Sequence, residues 1–345
     1  MIYFQCDYAE GCHPDILEAL NQTNMEQTPG YGKDSYCEDA RSKVRSACEC
    51  ESADVHFLVG GTQANATIIS SILRPHQGVI SADTGHIAAH ETGAIEATGH
   101  KVLALSSRDG TITAAQVEAL CKQHALNPAH EHEVQPGLVY ISFPTESGTL
   151  YSKAELTAMK EVCNACGIPL FIDGARMGYG LASPQNDLTL ADIARLCDVF
   201  YIGGTKCGAL FGEAVVITNE ALKKDFRYFI KQRGGMLAKG RLLGIQFGAL
   251  FTNGLYFAIC DKAVKQALDI RQAFLDNGVE LWGNSYTNQQ FPILTKAQMD
   301  ALTDYGYVYE VWSPAQNDRY VVRFCTSWAT TQENTERLKK DISAL

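Results

Sequence analysis

Three short segments combine glycines with side chains that can hold an anion, a proton or a carbonyl carbon. In the first, Val59-Gly60-Gly61-Thr62-Gln63-Ala64-Asn65, an apolar run ends in two glycines and a helical pattern starts at once. Glycine lets the backbone approach a ligand, and the free N–H groups at the start of a helix favour a phosphate, which Gly61 and Thr62 can bind. A tight strand-to-helix turn would need the same glycines. In the second, Leu170-Phe171-Ile172-Asp173-Gly174-Ala175-Arg176, an acid directly follows a buried-type run, at the carboxyl edge where open α/β sheets place ligands. Asp173 can hold a protonated ring nitrogen there, and the Arg176 fork can grip a carboxylate; a local ion pair or a helix cap also accounts for the two. The third, Val199 to Gly208, sets Lys206 among Gly, Thr and Cys just past an apolar run. Desolvation there lowers the amine pKa, the condition for a Schiff-base lysine, whereas most lysines are simply solvated.

In combination the three segments are more specific than any one of them. An anion cradle, an acid and then a lysine is the division of labour that pyridoxal phosphate requires: a phosphate site, a carboxylate that keeps the pyridine nitrogen protonated, and an amine for the Schiff base. The GxGxxG and GxxxxGK[ST] spacings of nucleotide-binding loops are absent from the first segment.

Such residues need a sheet edge to converge on, and the chain has the pattern for one. Apolar runs at Val55–Val59, Val79–Ala82, Val102–Leu105, Leu138–Phe143, Leu170–Ile172, Val199–Ile202 and Ala214–Ile217 alternate with amphipathic stretches of helical length. Most are continuously apolar, which predicts a mainly parallel sheet covered on both faces. Ser35-x-x-Glu38, Ser152-x-x-Glu155 and Thr330-x-x-Glu333 have the spacing of helix starts, and Arg74-Pro75 closes the helix that begins near Gln63. After Gly240 a long helical stretch, about Leu242 to Phe274, leads to strands near Gln290–Leu294, Tyr307–Trp312 and Tyr320–Thr326. This predicts a large α/β domain over 1–245 and a smaller C-terminal α+β domain over 246–345.

The chain has 345 residues, 46% hydrophobic and 20% charged, as a folded globular protein should. A net charge of −10 without a basic cluster gives nucleic acid no electrostatic footprint. No apolar run approaches the roughly 20 residues of a membrane span, and no signal-like segment opens the chain. Twelve cysteines in a chain of this length read as reduced core thiols, Cys163 and Cys166 included, so a cytoplasmic location is expected. His130-Glu131-His132, with His124 nearby, reads as a solvated loop. His86 and His90 stand at i and i+4, but the acid Glu91 lies outside the pair, unlike the zinc motif HExxH, so no metal is expected.

Over nearly its whole length the sequence resembles the low-specificity L-threonine aldolases, fold-type I pyridoxal-phosphate enzymes within the β-eliminating lyase group. The resemblance rests on Asp7, Tyr31-Gly32-Lys33-Asp34, Gly61-Thr62-Gln63-Ala64-Asn65, His86, Asp173-Gly174-Ala175-Arg176, Lys206 and Val322-Arg323-Phe324. Thr326-Ser327-Trp328-Ala329-Thr330 and Gly240-Arg241-Leu242-Leu243 look closest to the phenylserine-aldolase branch. The resemblance implies that Lys206 carries the Schiff base, Asp173 pairs with the pyridine nitrogen, Gly61 and Thr62 hold the phosphate, and His86 stacks on the ring. Arg176 and Arg323 would bind the substrate carboxylate, with Arg176 also near the phenolic oxygen. It further implies a homodimer or homotetramer with shared sites, in which a basic residue reaches a neighbour's phosphate. Leu237 follows Gly234-Gly235-Met236 where that residue is usual, which leaves Lys239, Arg233 or Arg241 for the task.

Two positions depart from the family pattern. Cys6 stands where many members have a substrate-binding Ser, and Glu146 stands where many have a His on the hydroxyl side of the substrate. The implied reaction is cleavage of an L-β-hydroxy-α-amino acid to glycine and an aldehyde, with a site water, Glu146, His86 or His90 as the base. A β-eliminating lyase or aminotransferase would use the same cofactor on a different bond. A non-enzymatic binding or regulatory protein of this fold would have no need to keep Lys206, Asp173, Arg176 and Arg323 together.

Overall fold

The computed structural model describes residues 1–314 and 317–345. After a two-residue strand at Ile2–Tyr3 (β1), the apolar runs form β2 (Asp54–Leu58), β3 (Gln77–Ala82), β4 (Val102–Leu105), β5 (Gln135–Ser142), β6 (Leu170–Asp173), β7 (Val199–Gly203) and β8 (Glu213–Ile217). These seven make one sheet in the order β2-β8-β7-β6-β5-β3-β4. Strands β3 to β7 run parallel to one another, and β8 is antiparallel to both its neighbours, β2 and β7. Successive residues serve opposite faces: Tyr140, Phe171, Tyr201 and Val215 enter one core, and Ile141, Ile172, Ile202 and Val216 the other. The continuous apolar runs thus reflect a sheet buried on both sides.

The parallel strands all deliver their carboxyl ends to one edge, where the three chemical segments lie. The exception, β8, closes a hairpin with β7 around the Gly204–Gly212 loop. Gly203 pairs with Glu213, and the N–H groups of Gly204 and Thr205 both donate to the Gly212 carbonyl, at 2.9 and 3.1 Å.

The capping box at Ser152 and Glu155 forms as expected. The other two expected starts shift by one residue. Asp34 rather than Ser35 caps helix Ser35–Ala47, because its carboxylate, one position earlier, accepts the Cys37 N–H at 2.8 Å. Thr331 rather than Thr330 caps helix Gln332–Ile342, since the Thr330 hydroxyl accepts the Ser327 N–H at 2.8 Å instead. The expected long helix is two, Arg241–Leu250 and Leu255–Asp276, meeting at 65°. Asn253 and Gly254 between them take φ of 52° and 72°, which a continuous right-handed helix does not admit.

A smaller sheet completes the chain. Ile293–Thr295 (β10), Arg319–Cys325 (β13) and Glu310–Pro314 (β12) pair antiparallel, Gln289–Gln290 (β9) also joins β13, and Tyr307–Val308 (β11) pairs in parallel with β1. Packing changes from one core to the next inside helix Leu255–Asp276. Tyr256 to Val264 belong to the large core, while Ile270 and Phe274 join Phe4, Leu294, Val322 and Phe324. The change thus comes later than the division at 245/246, because the first turns of this helix lie against the large domain. There the Tyr256 hydroxyl takes the Gly178 N–H and donates to the Gly203 carbonyl, both at 3.0 Å.

Helix Arg241–Leu250 packs on helix Ser35–Ala47 through Gly244, where an added Cβ would meet Cys37 backbone atoms at 2.6 Å. At Gly248, one turn on, the nearest atom would be an ordinary 3.6 Å away. Gly244→Ala should therefore cost about 1–3 kcal/mol by overpacking, whereas Gly248→Ala should be tolerated. Thermal unfolding of the two variants checks this, and equal melting temperatures would refute it.

Candidate active site

Asp173 ends β6 at 4% exposure and keeps its charge through donors from four places. The Tyr140 hydroxyl and Asn65 Nδ2 reach Oδ2 at 2.6 and 3.1 Å, and the Tyr201 hydroxyl and the Ala175 N–H reach Oδ1 at 2.5 and 3.0 Å. Burial would raise its pKa, but His86 and these donors outweigh burial and hold it below the usual carboxylate value. Asn65 Nδ2 also donates to Glu91 at 2.7 Å, and Glu91 in turn holds His86 Nδ1 at 2.7 Å. A carboxylate can only accept, so the imidazole proton sits on Nδ1. Burial opposes a charge on His86, yet Glu91 and Asp173 raise its pKa overall.

Asp173, His86 and Lys206 line one cavity of about 330 Å³ together with Gly60, Gly61, Thr62, Arg176 and Glu146. Burial lowers the Lys206 pKa, and the charge of Arg176 lowers it further, against the opposing pull of Asp7, Asp173 and Glu213. Helix Gly61–Ile72 starts at Gly60 with no side-chain cap, so its first N–H groups remain open to a ligand. An added Cβ at Gly61 would meet the Tyr201 hydroxyl at 3.1 Å, so a larger residue would crowd the cavity. An open helix start, an ionised acid and a desolvated amine in one cavity fit pyridoxal phosphate.

Glu146 lies just past β5. Its Oε1 accepts from the Ser142 hydroxyl at 2.8 Å and from the His86 N–H at 3.0 Å, while Oε2 is buried with no partner among the described residues. Burial raises its pKa above the ordinary carboxylate range, and the nearby Asp173 charge adds to this. Glu146, His86, Arg176 and Lys206 also border an adjoining cavity of about 300 Å³, which His90, Glu310, Trp312 and Arg323 complete.

The two arginines are already engaged. Arg176 grips buried Asp7 through Nε at 2.7 Å and Nη2 at 3.0 Å, and Asn288 steadies the same acid at 2.9 Å. Arg323 donates to Gln289 at 3.0 Å and the Gln5 carbonyl at 3.1 Å, pairs with Glu310, and lies over the Trp312 ring at 5.2 Å. Cys6 is half-buried and lines neither cavity, and Lys239 is exposed before helix Arg241–Leu250, away from both.

Other residues of the site escaped the sequence reading. The signal for Tyr140 and Tyr201 is a phenol inside a buried strand, since its hydroxyl must find a partner. The signal for Glu91 is an acid within reach of a candidate ring-stacking histidine. Elsewhere, all twelve cysteines are unpaired, and His124 and His130 face each other across 5.6 Å near the surface.

Removing Asp7 would strand a buried guanidinium. Asp7→Ala should destabilise the protein by about 3–5 kcal/mol at neutral pH, read by urea denaturation. The Asp7 pKa is lowered: burial opposes this but Arg176 and Lys206 prevail. The stabilisation is thus present above the ordinary aspartate pKa and lost as pH falls through the folded value. The gap between wild type and variant should close only in strong acid, and a gap that closes near neutrality would contradict this.

Known proteins match this chain from end to end. It is 44% identical to a Leishmania major threonine aldolase of solved structure, with a TM-score of 0.97 over 100% of this chain and 99% of that one. It is 30% identical to the low specificity L-threonine aldolase of Pseudomonas sp. (strain NCIMB 10558), over 99% of this chain and 97% of the relative. Aspartate aminotransferase from Thermus thermophilus, 13% identical, covers 100% of this chain and 91% of its own with a TM-score of 0.71, and shares the fold alone. The likeness to threonine aldolases and to beta-eliminating lyases implies pyridoxal phosphate as the cofactor, and the distant likeness agrees with a fold-type I architecture. Since the beta-eliminating lyase model matches residues 6–339, the chain belongs to the beta-eliminating lyase family.

Proposed function

We propose that this protein is a carbon–carbon lyase that cleaves L-threonine, L-allo-threonine or a related L-β-hydroxy-α-amino acid to glycine and an aldehyde. The names of its Leishmania and Pseudomonas relatives support the reaction. The observation that carries it is Glu146: a buried carboxyl oxygen, without a partner among the described residues, in the cavity that also holds Lys206, His86 and Asp173. Cleavage of this kind needs a group that takes the proton from the β-hydroxyl, and in this reading Glu146 Oε2 is that group.

When bound, pyridoxal phosphate supplies the electron sink for the bond broken at the α-carbon. Lys206, whose pKa burial and the Arg176 charge lower, offers the nucleophilic amine. Asp173 would keep a proton on the ring nitrogen, Gly61 and Thr62 would hold the phosphate, and His86, fixed by Glu91, would stack on the ring. In this reading Arg323 meets the substrate carboxylate after exchanging Glu310 for it, and Arg176 reaches substrate or cofactor with its Nη1. Cys6 has at most a weak part in substrate binding, as its thiol is a poor donor.

The same reading makes the protein a homodimer or homotetramer in which Lys239 reaches a neighbour's phosphate, and places it in the cytoplasm, where twelve unpaired thiols are stable. Sedimentation that finds an active monomer would sink the shared-site arrangement.

Mass-spectrometric analysis of products from a panel of β-hydroxy amino acids tests the reaction. Glycine with an aldehyde is expected, and a 2-keto acid with ammonia would overturn the proposal. Because the raised Glu146 pKa makes the base form fade as pH falls, the acid limb of kcat should lie above the ordinary glutamate range. Glu146→Gln should lower kcat about 10²–10⁴-fold, the usual share of a general base, and abolish that limb. An unchanged pH profile would return the role to water or a histidine.

A further inference from the structure

Of the acids lining the lysine cavity, Glu146 and Asp173 have roles above and Glu213 has none. Glu213 opens the otherwise apolar strand β8 at 3% exposure, opposite Leu58 of β2 on one side and Gly203 of β7 on the other. Leu58 leads into Gly60–Thr62 and Gly203 into Lys206, so the carboxyl stands between the anion cradle and the lysine and lines the same cavity.

Its two oxygens differ. Oε1 accepts from the Thr205 hydroxyl at 3.1 Å, and Thr205 Oγ1 itself accepts the Gly212 N–H at 3.0 Å. Because the Thr205 hydroxyl donates to Oε1, a proton carried by Glu213 belongs on Oε2. Oε2 is buried and has no partner among the described residues. The basic side chains lining this cavity are His86, Lys206 and Arg176, and His86 is turned to Glu91 and Arg176 to Asp7. Within one chain a phosphate at the helix start therefore meets mainly neutral donors, and an ionised carboxylate beside it would repel it.

We propose that Glu213 is a neutral acid that donates a hydrogen bond from Oε2 to the phosphate monoester of the cofactor, making cofactor retention dependent on this one proton. The inference rests on the cofactor and not on which bond the enzyme breaks. Burial lifts the Glu213 pKa to about 8; Lys206 and Thr205 work against the rise and Asp173 adds to it. The charged and titratable groups around the carboxyl are Lys206, Asp173 and Tyr201, and β2 sets only Leu58 against it. A bound phosphate, doubly ionised above its second pKa of about 6, raises the value further. Affinity for the phosphate is thus held below about pH 8 and falls as pH rises, by up to about tenfold per unit.

The test is equilibrium binding of the full-length apoprotein, followed by fluorescence, to pyridoxal phosphate and to pyridoxal across neutral and alkaline pH. Both ligands react with Lys206 but only one has the phosphate, so the ratio of their dissociation constants isolates the phosphate contact. In the wild type the advantage of pyridoxal phosphate should shrink about tenfold or more above pH 8. In Glu213→Gln, which keeps a donor that does not titrate, the ratio should be flat. In Glu213→Ala the advantage should be small at every pH. A flat ratio in the wild type overturns the proposal whether or not the variants fold, as does a slope that survives in Glu213→Gln.

Discussion

Keeping a carboxylate charged at the end of a buried strand takes donors, and Asp173 receives four. Stripping an ion of water costs several kcal/mol, a penalty met here by hydrogen bonds whose donors cannot move independently. Tyr140 belongs to β5, Tyr201 to β7, Asn65 to helix Gly61–Ile72 and Ala175 to the turn after β6. The carboxylate therefore fixes the spacing of three strands and the helix above them. Through Asn65 the same network reaches Glu91 and His86, so the buried acid and the imidazole share one set of bonds.

A second buried charge does comparable work at the border of the two cores. Asp7, from the N-terminal segment, is shared by Arg176 of the large domain and Asn288 ahead of the small sheet. The segment continues this bridging role, since Phe4 enters the small core and the Gln5 carbonyl accepts from Arg323. Two neighbouring cavities result, one with Asp173 and Glu213 and one with Arg323, Glu310 and Trp312, and Glu146 and Lys206 border both.

Much of this was legible in the residues. Each of the seven apolar runs became a strand of the central sheet, because continuous burial on both faces leaves no ambiguity of period. Lys206, Asp173, Gly61, Thr62 and His86 meet in one cavity because each follows a strand end. Less legible was what depends on contacts between distant segments. The Asn253-Gly254 pair is a local turn signal that the apolar residues on both sides masked, and nothing local says that Asp34 would outcompete Ser35 for a cap. The partners of Arg176 and Arg323 were equally hidden, since Asp7 lies far off in the chain and Glu310 is one acid among many. Glu213 was overlooked because a charged residue at the head of an apolar strand looks like the polar end of the preceding turn.

The reversed direction of β8 bears on how such a site can diversify. The lysine sits in a hairpin closed on both sides by backbone pairing, Gly203 with Glu213 and Glu213 with Leu58. An insertion there would shift the register of three strands at once and turn their side chains to the wrong face. His86 and Glu146 instead follow parallel strands, on connections that can lengthen or change without altering the sheet. The chain thus separates a part that resists mutation from a part that accepts it. Descendants of such an ancestor can exchange one substrate side chain for another while inheriting the same cofactor seat unaltered.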